Sequence, residues 1–257
     1  MLILQSQSHL DSSSSLSISP SLVFSDLDIH AATLASLTNG VQSITAVKMD
    51  PPLHISKWVD YTNKYGFGCL LSDGTTSVKF NSGEIIALGR DNTGVYAHSN
   101  SMKPVPLNMR DPNIVKMVEL TKNYKTYMEK ALAKAARVEE TIENRRWNEM
   151  STPYLTHYSK KKNCIMMMLS DGTIQINFTR EHIKMIISPD SSNSSLISLI
   201  DSNGVFTTYR TTSIPPSSKY FSSSLLSLFQ DSSDLISDEM SHLRYSRFHS
   251  RPLTTSC

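Results

Sequence analysis

Leu71-Ser72-Asp73-Gly74-Thr75 returns as Leu169-Ser170-Asp171-Gly172-Thr173, displaced by 98 residues. The similarity continues without gaps: Val78 matches Ile176, Phe80 matches Phe178, Ile85 matches Ile183 and Leu88 matches Ile186. A single pentapeptide pair is within the reach of chance, but a matching apolar pattern downstream is not. Asp-Gly between alternating apolar residues is a hairpin signal, because glycine supplies the positive φ of a tight turn. Each copy therefore reads as an antiparallel meander with one buried face. A small sheet does not close a core alone, so the two copies are expected to pack on each other or on a helix. A cleft between related sheets is a natural ligand site.

Between the copies, Asp111-Pro112 looks like an N-cap followed by proline at the first helical position. Ile114, Met117, Tyr124, Met128, Ala131 or Leu132, and Ala135 recur every three or four residues, predicting a helix over 112–137. Upstream, Leu27, Ala31, Leu34 and Leu37 lie at helical spacing, with Ser25 or Asp26 able to cap them and Asn39-Gly40 to end them. Downstream, Asp201-Ser202-Asn203-Gly204 marks another hairpin. Leu225, Leu226, Leu228, Phe229, Leu235 and Ile236 could supply part of a helix, but Pro215-Pro216 and the serine runs predict a long loop instead, with disorder around 211–222 and HLRYSRF as a short terminal helix.

Composition narrows the class. The 257 residues carry a net charge of +2 and 39% hydrophobic residues, so a packed core fits and bulk nucleic-acid binding has no electrostatic basis. The 42 serines cluster at the two ends, which argues for polar segments beside a globular middle. Cys69, Cys164 and Cys257 have neither metal nor redox spacing and read as reduced thiols of an intracellular protein. No apolar run reaches membrane-spanning length, and MLILQSQSHL lacks a basic n-region. Met166-Met167-Met168 reads as buried strand, and His157 and His242 lack metal-like partners. No glycine-rich loop, catalytic loop or DFG is present. Gly-Arg-Asp-Asn at 89–92 is no kinase loop, and the short stretch before Trp58 leaves no room for a kinase domain.

Trp58-Val59-Asp60-Tyr61 with Lys64-Tyr65-Gly66-Phe67-Gly68 resembles the opening of the first polo box of polo-like kinases. Ser170–Phe178, SDGTIQINF, followed by Glu181-His182-Ile183-Lys184-Met185-Ile186, resembles the core of the second. Thr208-Tyr209-Arg210 and Leu243-Arg244-Tyr245 resemble its later landmarks. The resemblance implies an α+β fold of two polo boxes, each a six-stranded antiparallel sheet with a helix, packed together with a cleft between them. It divides the chain into a serine-rich disordered stretch 1–22, a cap-like segment and linker 23–52, box one with the long helix 53–137, a linker 138–152, box two 153–248 with a serine-rich insert 211–237, and a tail 249–257.

In that family the cleft binds peptides carrying phosphoserine or phosphothreonine and targets a mitotic, cell-cycle kinase to primed substrates. The resemblance implies no catalytic residue, metal or cofactor in this chain, no membrane or nucleic-acid partner, and phosphorylated peptides as partners, with a kinase domain in cis or trans. It places the protein in cytoplasm or nucleus, at centrosome, kinetochore or spindle. His182 and Lys184 match the family's phosphate pincer; residues i and i+2 on a strand share a face, so two cations there converge on one dianion. Trp58 matches the aromatic beside the peptide serine that precedes the phosphoresidue. Leu132 matches a leucine against the peptide backbone, and Lys160 a basic residue at the cleft edge. Tyr61, Tyr65 and Tyr127 match a side pocket; Asn123 and Tyr124 depart from its two adjacent aromatics, and Thr179 from another. The alternative function is a kinase-less scaffold or dimerisation protein that does not read phosphate.

Overall fold

The computed structural model describes residues 20–39, 42–99, 103–132, 153–190, 195–213 and 223–249. Helix α1 (Pro20–Thr38) and strand β1 (Gln42–Val47) lead into a first meander of β2 (Ile55–Tyr61), β3 (Gly66–Leu71), β4 (Thr76–Phe80), β5 (Glu84–Leu88), β6 (Gly94–His98) and β7 (Val105–Pro106). Helix α2 (Pro112–Lys130) follows. The second meander is β8 (Leu155–Lys160), β9 (Cys164–Leu169), β10 (Ile174–Phe178), β11 (Ile183–Pro189), β12 (Ser195–Ile200) and β13 (Phe206–Ser213), and helix α3 (Ser223–His249) comes last.

The repeated pentapeptide shows why it specifies the fold. In each copy its leucine pairs with its threonine, Leu71 N to Thr75 O at 2.8 Å and Leu169 N to Thr173 O at 2.9 Å. The aspartate accepts from the threonine N–H, and Gly74 and Gly172 take φ of 85° and 86°, which a side chain would resist. The serine then fixes the preceding strand. Ser72 N donates to His54 O and Ser72 Oγ accepts from His54 N, while Ser170 does the same with Tyr154. One pentapeptide thus sets both a hairpin and the start of the meander's first strand.

The first box forms a six-stranded antiparallel sheet in the order β2-β3-β4-β5-β6-β7. The second forms a seven-stranded one, β1-β13-β12-β11-β10-β9-β8. The second box supplies the expected six strands, β8–β13, and residues 42–47 of the cap-like segment add β1 beside β13 as a seventh. The layers run α1 and α3, seven-stranded sheet, six-stranded sheet, α2. Leu34, Met166, Met185, Phe229 and Ile236 lie in the core under the two helices. Val78, Ile86, Val118 and Met128 lie under α2, and Phe67, Cys69, Leu155 and Met167 between the sheets. Strand β9 is buried on both faces, so its methionines alternate: Met166 and Met168 face the helices and Met167 faces the other sheet.

Five expectations are corrected. The gap-free repeat slips by one residue after the β10–β11 turn. That turn has four residues, Thr179 to His182, where β4–β5 has three, so Lys184 sits where Ile85 does and Ile187 where Leu88 does. A one-residue slip exchanges the two sheet faces, and here it turns Lys184 toward the other sheet. Helix α1 begins at Pro20, inside the stretch expected to be disordered, and α2 ends at Lys130 with Ala131 as its C-cap, short of 137. Residues 211–213 complete β13. Residues 223–249 are helix α3, not a loop with a short end piece: Leu228, Phe229, Ile236 and Met240 keep helical spacing and are buried, and Ser232 Oγ donates to Leu228 O so that the buried serine is satisfied. The stretches 1–19, 133–152 and 214–222, with Ala135, the expected linker 138–152, and Cys257, lie outside the described residues.

Candidate functional site

The two sheets meet through reciprocal contacts between equivalent positions. Ile55 N donates to Gln175 Oε1 at 2.7 Å and Gln175 Nε2 donates to Ile55 O at 2.9 Å, so one amide completes the edge of β2 as a strand would. On the mirrored side Leu155 N donates to Ser77 Oγ at 3.0 Å. Trp58 and Tyr158, which both follow the same bulge in their strands, stack on Phe67 from either box, with centroids at 5.6 Å and 4.3 Å.

Lys184 points into this junction. Its Nζ donates to Ser56 O at 3.3 Å, two residues before Trp58 on β2. Burial holds its pKa below the ordinary lysine value. Beside it lies His54, 3% exposed, whose Nδ1 donates to Pro52 O at 2.9 Å and whose ring is 5.8 Å from Phe206. Burial lowers the His54 pKa and the charge on Lys184 lowers it further. Among the described residues no carboxylate pairs with Lys184. A partly desolvated ammonium facing neutral acceptors is a place where an anion gains charge-assisted hydrogen bonds.

His182 is exposed and stands in the β10–β11 turn, with φ of 55°, where the other box has Gly83 at 102°. The expected i, i+2 pairing on one strand is therefore corrected: His182 precedes the strand, and only Lys184 belongs to it. Lys160, at the end of β8, pairs with Asp60 of β2 across the junction. Tyr61 meets Tyr124 edge-on at 5.6 Å and Tyr127 at 5.9 Å, while Lys64 sits 4.8 Å over the Tyr65 ring. These tyrosines gather on the α2 side of β2 and β3, each more than a third exposed except Tyr124, whose hydroxyl donates to Gly66 O. Leu132 follows the end of α2 and packs on the core beneath that helix, not in the Trp58 cluster. Thr179 is held by Asn163, its N and Oγ1 both donating to Asn163 O at 2.9 Å.

Sequence reasoning missed Gln175, His54 and Tyr158. Gln175 alternates with Ile174 and Ile176 and so reads as a solvent-facing strand residue. Tyr158 had a signal: it lies 100 residues after Trp58, in the repeat of its strand.

Comparison with known proteins agrees with this fold. The profile of the POLO box duplicated region covers residues 161–227. Over 162 residues the chain is 34% identical to the serine/threonine-protein kinase PLK2 of Mus musculus, a stretch that is 62% of this chain and 23% of the relative. Against PLK1 of Xenopus laevis it is 33% identical over 164 residues, 62% of this chain and 26% of the relative. The chain thus spans about a quarter of the length of these relatives, and the similarity lies in their polo-box region and not their kinase domain. Among solved structures, the polo-box domain of budding yeast Cdc5 in complex with a Spc72 phosphopeptide superposes with a TM-score of 0.58, at 24% identity, over 93% of this chain and 92% of that one. The Cdc5 polo-box domain in complex with the Dbf4 polo-interacting region gives 0.57 at 21%, over 84% and 87%. At such identities the likeness is one of fold; residues 161–227 carry the polo box profile, and sequence relatives and duplicated fold agree in matching this chain to the polo-box region of polo-like kinases, outside their kinase domain.

Proposed function

We propose that this chain binds peptides carrying phosphoserine or phosphothreonine at the junction of its two boxes, and so docks a polo-like kinase, joined to it or separate, on primed substrates at centrosome, kinetochore or spindle. The observation that carries this reading is Lys184, drawn into the junction, partly desolvated and facing a carbonyl instead of a carboxylate. A phosphate of charge about −1.5 to −2 supplies the missing counter-charge. His182, exposed at the mouth of the same strand, is the second donor. Trp58, half-buried and two residues from Ser56, lies alongside the residue that precedes the phosphate. The Spc72 phosphopeptide held by the Cdc5 domain of the same fold supports the ligand class.

The test is direct. A fluorescent Ser-phosphoThr-Pro peptide should bind the protein well above its unphosphorylated twin, as read by anisotropy. His182→Ala with Lys184→Met should remove most of that preference, since each charged hydrogen bond contributes roughly 1.5–3 kcal/mol. Equal affinity for the two peptides in the unaltered protein overturns the proposal. An obligate dimer without phosphate preference, by light scattering, would instead mark a scaffold.

A further inference from the structure

The phosphate site adjoins a larger field of positive charge. One row of paired residues runs across the second sheet from Lys160 through Ile165 and Asn177 to Lys184. Beyond the row, at the same end of the sheet, stand the β8–β9 turn with Lys161 and Lys162 and the β10–β11 turn with Arg180 and His182. Both hydrogen bonds of Thr179 to Asn163 O tie the two turns together. Lys161, Lys162, Arg180 and His182 are all exposed. None of the four pairs with a described carboxylate, whereas Lys160 is occupied by Asp60. Glu181 is the only acid in the two turns, and Glu239 of the nearby α3 is engaged by His157 at 2.7 Å.

A charge run on a surface is ordinarily just a solvated face, but this one is continuous with a site that has its own direction. Strand β2 passes from Ser56, beside Lys184, through Trp58 to Asp60, beside Lys160. A peptide with its phosphate at Lys184 and its preceding residue at Trp58 runs on toward the lysine turn. Three strand spacings separate Lys184 from Lys160, about 14 Å, which an extended peptide covers in about four residues.

We infer that this end of the second sheet is a specificity surface that selects phosphopeptides with acidic or additionally phosphorylated residues from about the third to the fifth position before the phosphoresidue, read by Lys161, Lys162 and Arg180. The inference rests on the phosphopeptide reading above. It adds a sequence preference which the His182–Lys184 pair alone does not supply.

Three Ser-phosphoThr-Pro peptides of equal length test it on the full chain by anisotropy: neutral flanks, acidic residues before the phosphothreonine, and acidic residues after it. At about 0.05 M salt the peptide acidic on the N-terminal side should bind about five- to tenfold tighter than the neutral one, and the advantage should fall below about twofold at about 0.5 M, where the field is screened. The exposed triple variant Lys161→Ala, Lys162→Ala, Arg180→Ala should lose this advantage while binding the neutral peptide within about twofold of the unaltered protein. Equal binding of neutral and N-acidic peptides, an equal gain from acids on the C-terminal side, or a gain that survives in the variant overturns the inference. The unphosphorylated N-acidic peptide separates the two levels: if it binds as tightly as its phosphorylated form, the phosphate reading itself falls.

Discussion

Replacing Gln175 by leucine isolates what holds the two boxes in register. Gln175 is 1% exposed and Ile55 is fully buried, and the amide satisfies both the N–H and the C=O of Ile55 as well as donating to Asn177 Oδ1. Leucine keeps the volume and removes all three bonds. Each buried backbone group left unpaired costs about 1–3 kcal/mol, and the added apolar surface returns about 1 kcal/mol. The net loss should be about 2–4 kcal/mol. For a domain of this size that lowers Tm by roughly 5–15 °C. The mirrored contact gives an internal reference: Ser77→Ala deprives only Leu155 N–H of its acceptor and should cost about 1–2 kcal/mol. Gln175→Glu separates hydrogen bonding from shape. Its carboxylate can accept from Ile55 N but meets the Ile55 carbonyl, so the folded state favours the protonated acid. That variant should be more stable at pH 5 than at pH 8. Thermal and guanidinium unfolding followed by circular dichroism measure all three. A Gln175→Leu variant within about 0.5 kcal/mol of the parent would refute the idea that this amide clamps the junction.

Two further perturbations probe the supporting structure. His30 of α1 is fully buried, its Nε2 donating to Gly172 O at 2.9 Å and its Nδ1 accepting from Ser195 Oγ at 2.7 Å, and burial lowers its pKa to about 4. Because the folded-state pKa is depressed, its contribution is complete above the unfolded value near 6.5 and is lost as pH falls toward 4, by about 3 kcal/mol; His30→Gln should flatten that part of the stability–pH curve, and an unchanged curve would count against the assignment. Gly68→Ala would place a Cβ 2.3 Å from the Tyr124 ring; it should destabilise by about 1–3 kcal/mol and displace the Tyr61–Tyr124–Tyr127 group, read by unfolding and tyrosine fluorescence.

The sequence made the duplication legible because the turn chemistry of Leu-Ser-Asp-Gly-Thr is local: every hydrogen bond that shapes the hairpin lies within the pentapeptide. It hid the slip after the β10–β11 turn, since Ile183 for Ile85 looks as apolar as the true partner looks polar. Only pairing across the sheet shows that Lys184 takes the place of Ile85. Helix α3 was obscured by its serines, which are poor helix formers on propensity alone. Tertiary burial of Leu228, Phe229 and Ile236 outweighs that preference. Strand β1 had no local signal of membership: its partner β13 is more than 160 residues away. Of the residues at the junction of the two boxes, Trp58 and Lys184 could be singled out by motif. Gln175 could not, because a face that packs on another sheet and a face that meets water carry the same alternation.

The reciprocal junction offers two equivalent half-sites, and the difference between them is physical. Around Ile85 the first box buries Ala87, Val95, Ala97 and Tyr154 in a closed apolar cluster. At the corresponding place the second box has Lys184, and where Tyr154 seals the one half-site, His54 stands in the other. The turn before it carries His182 where the first has glycine. One half-site thus contributes cohesion, and the other gives up cohesion for an unpaired cation. Lys184→Ile restores the apolar residue of the equivalent position. Isoleucine suits a strand and removes the desolvated charge, at the loss of one hydrogen bond to Ser56 O. The balance should raise stability by about 1 kcal/mol, in keeping with the gain seen when buried charges give way to packed apolar groups. The same change should abolish phosphopeptide binding. A variant less stable than the parent and still selective for phosphate would show that Lys184 is held for packing, and that the anion is bound elsewhere.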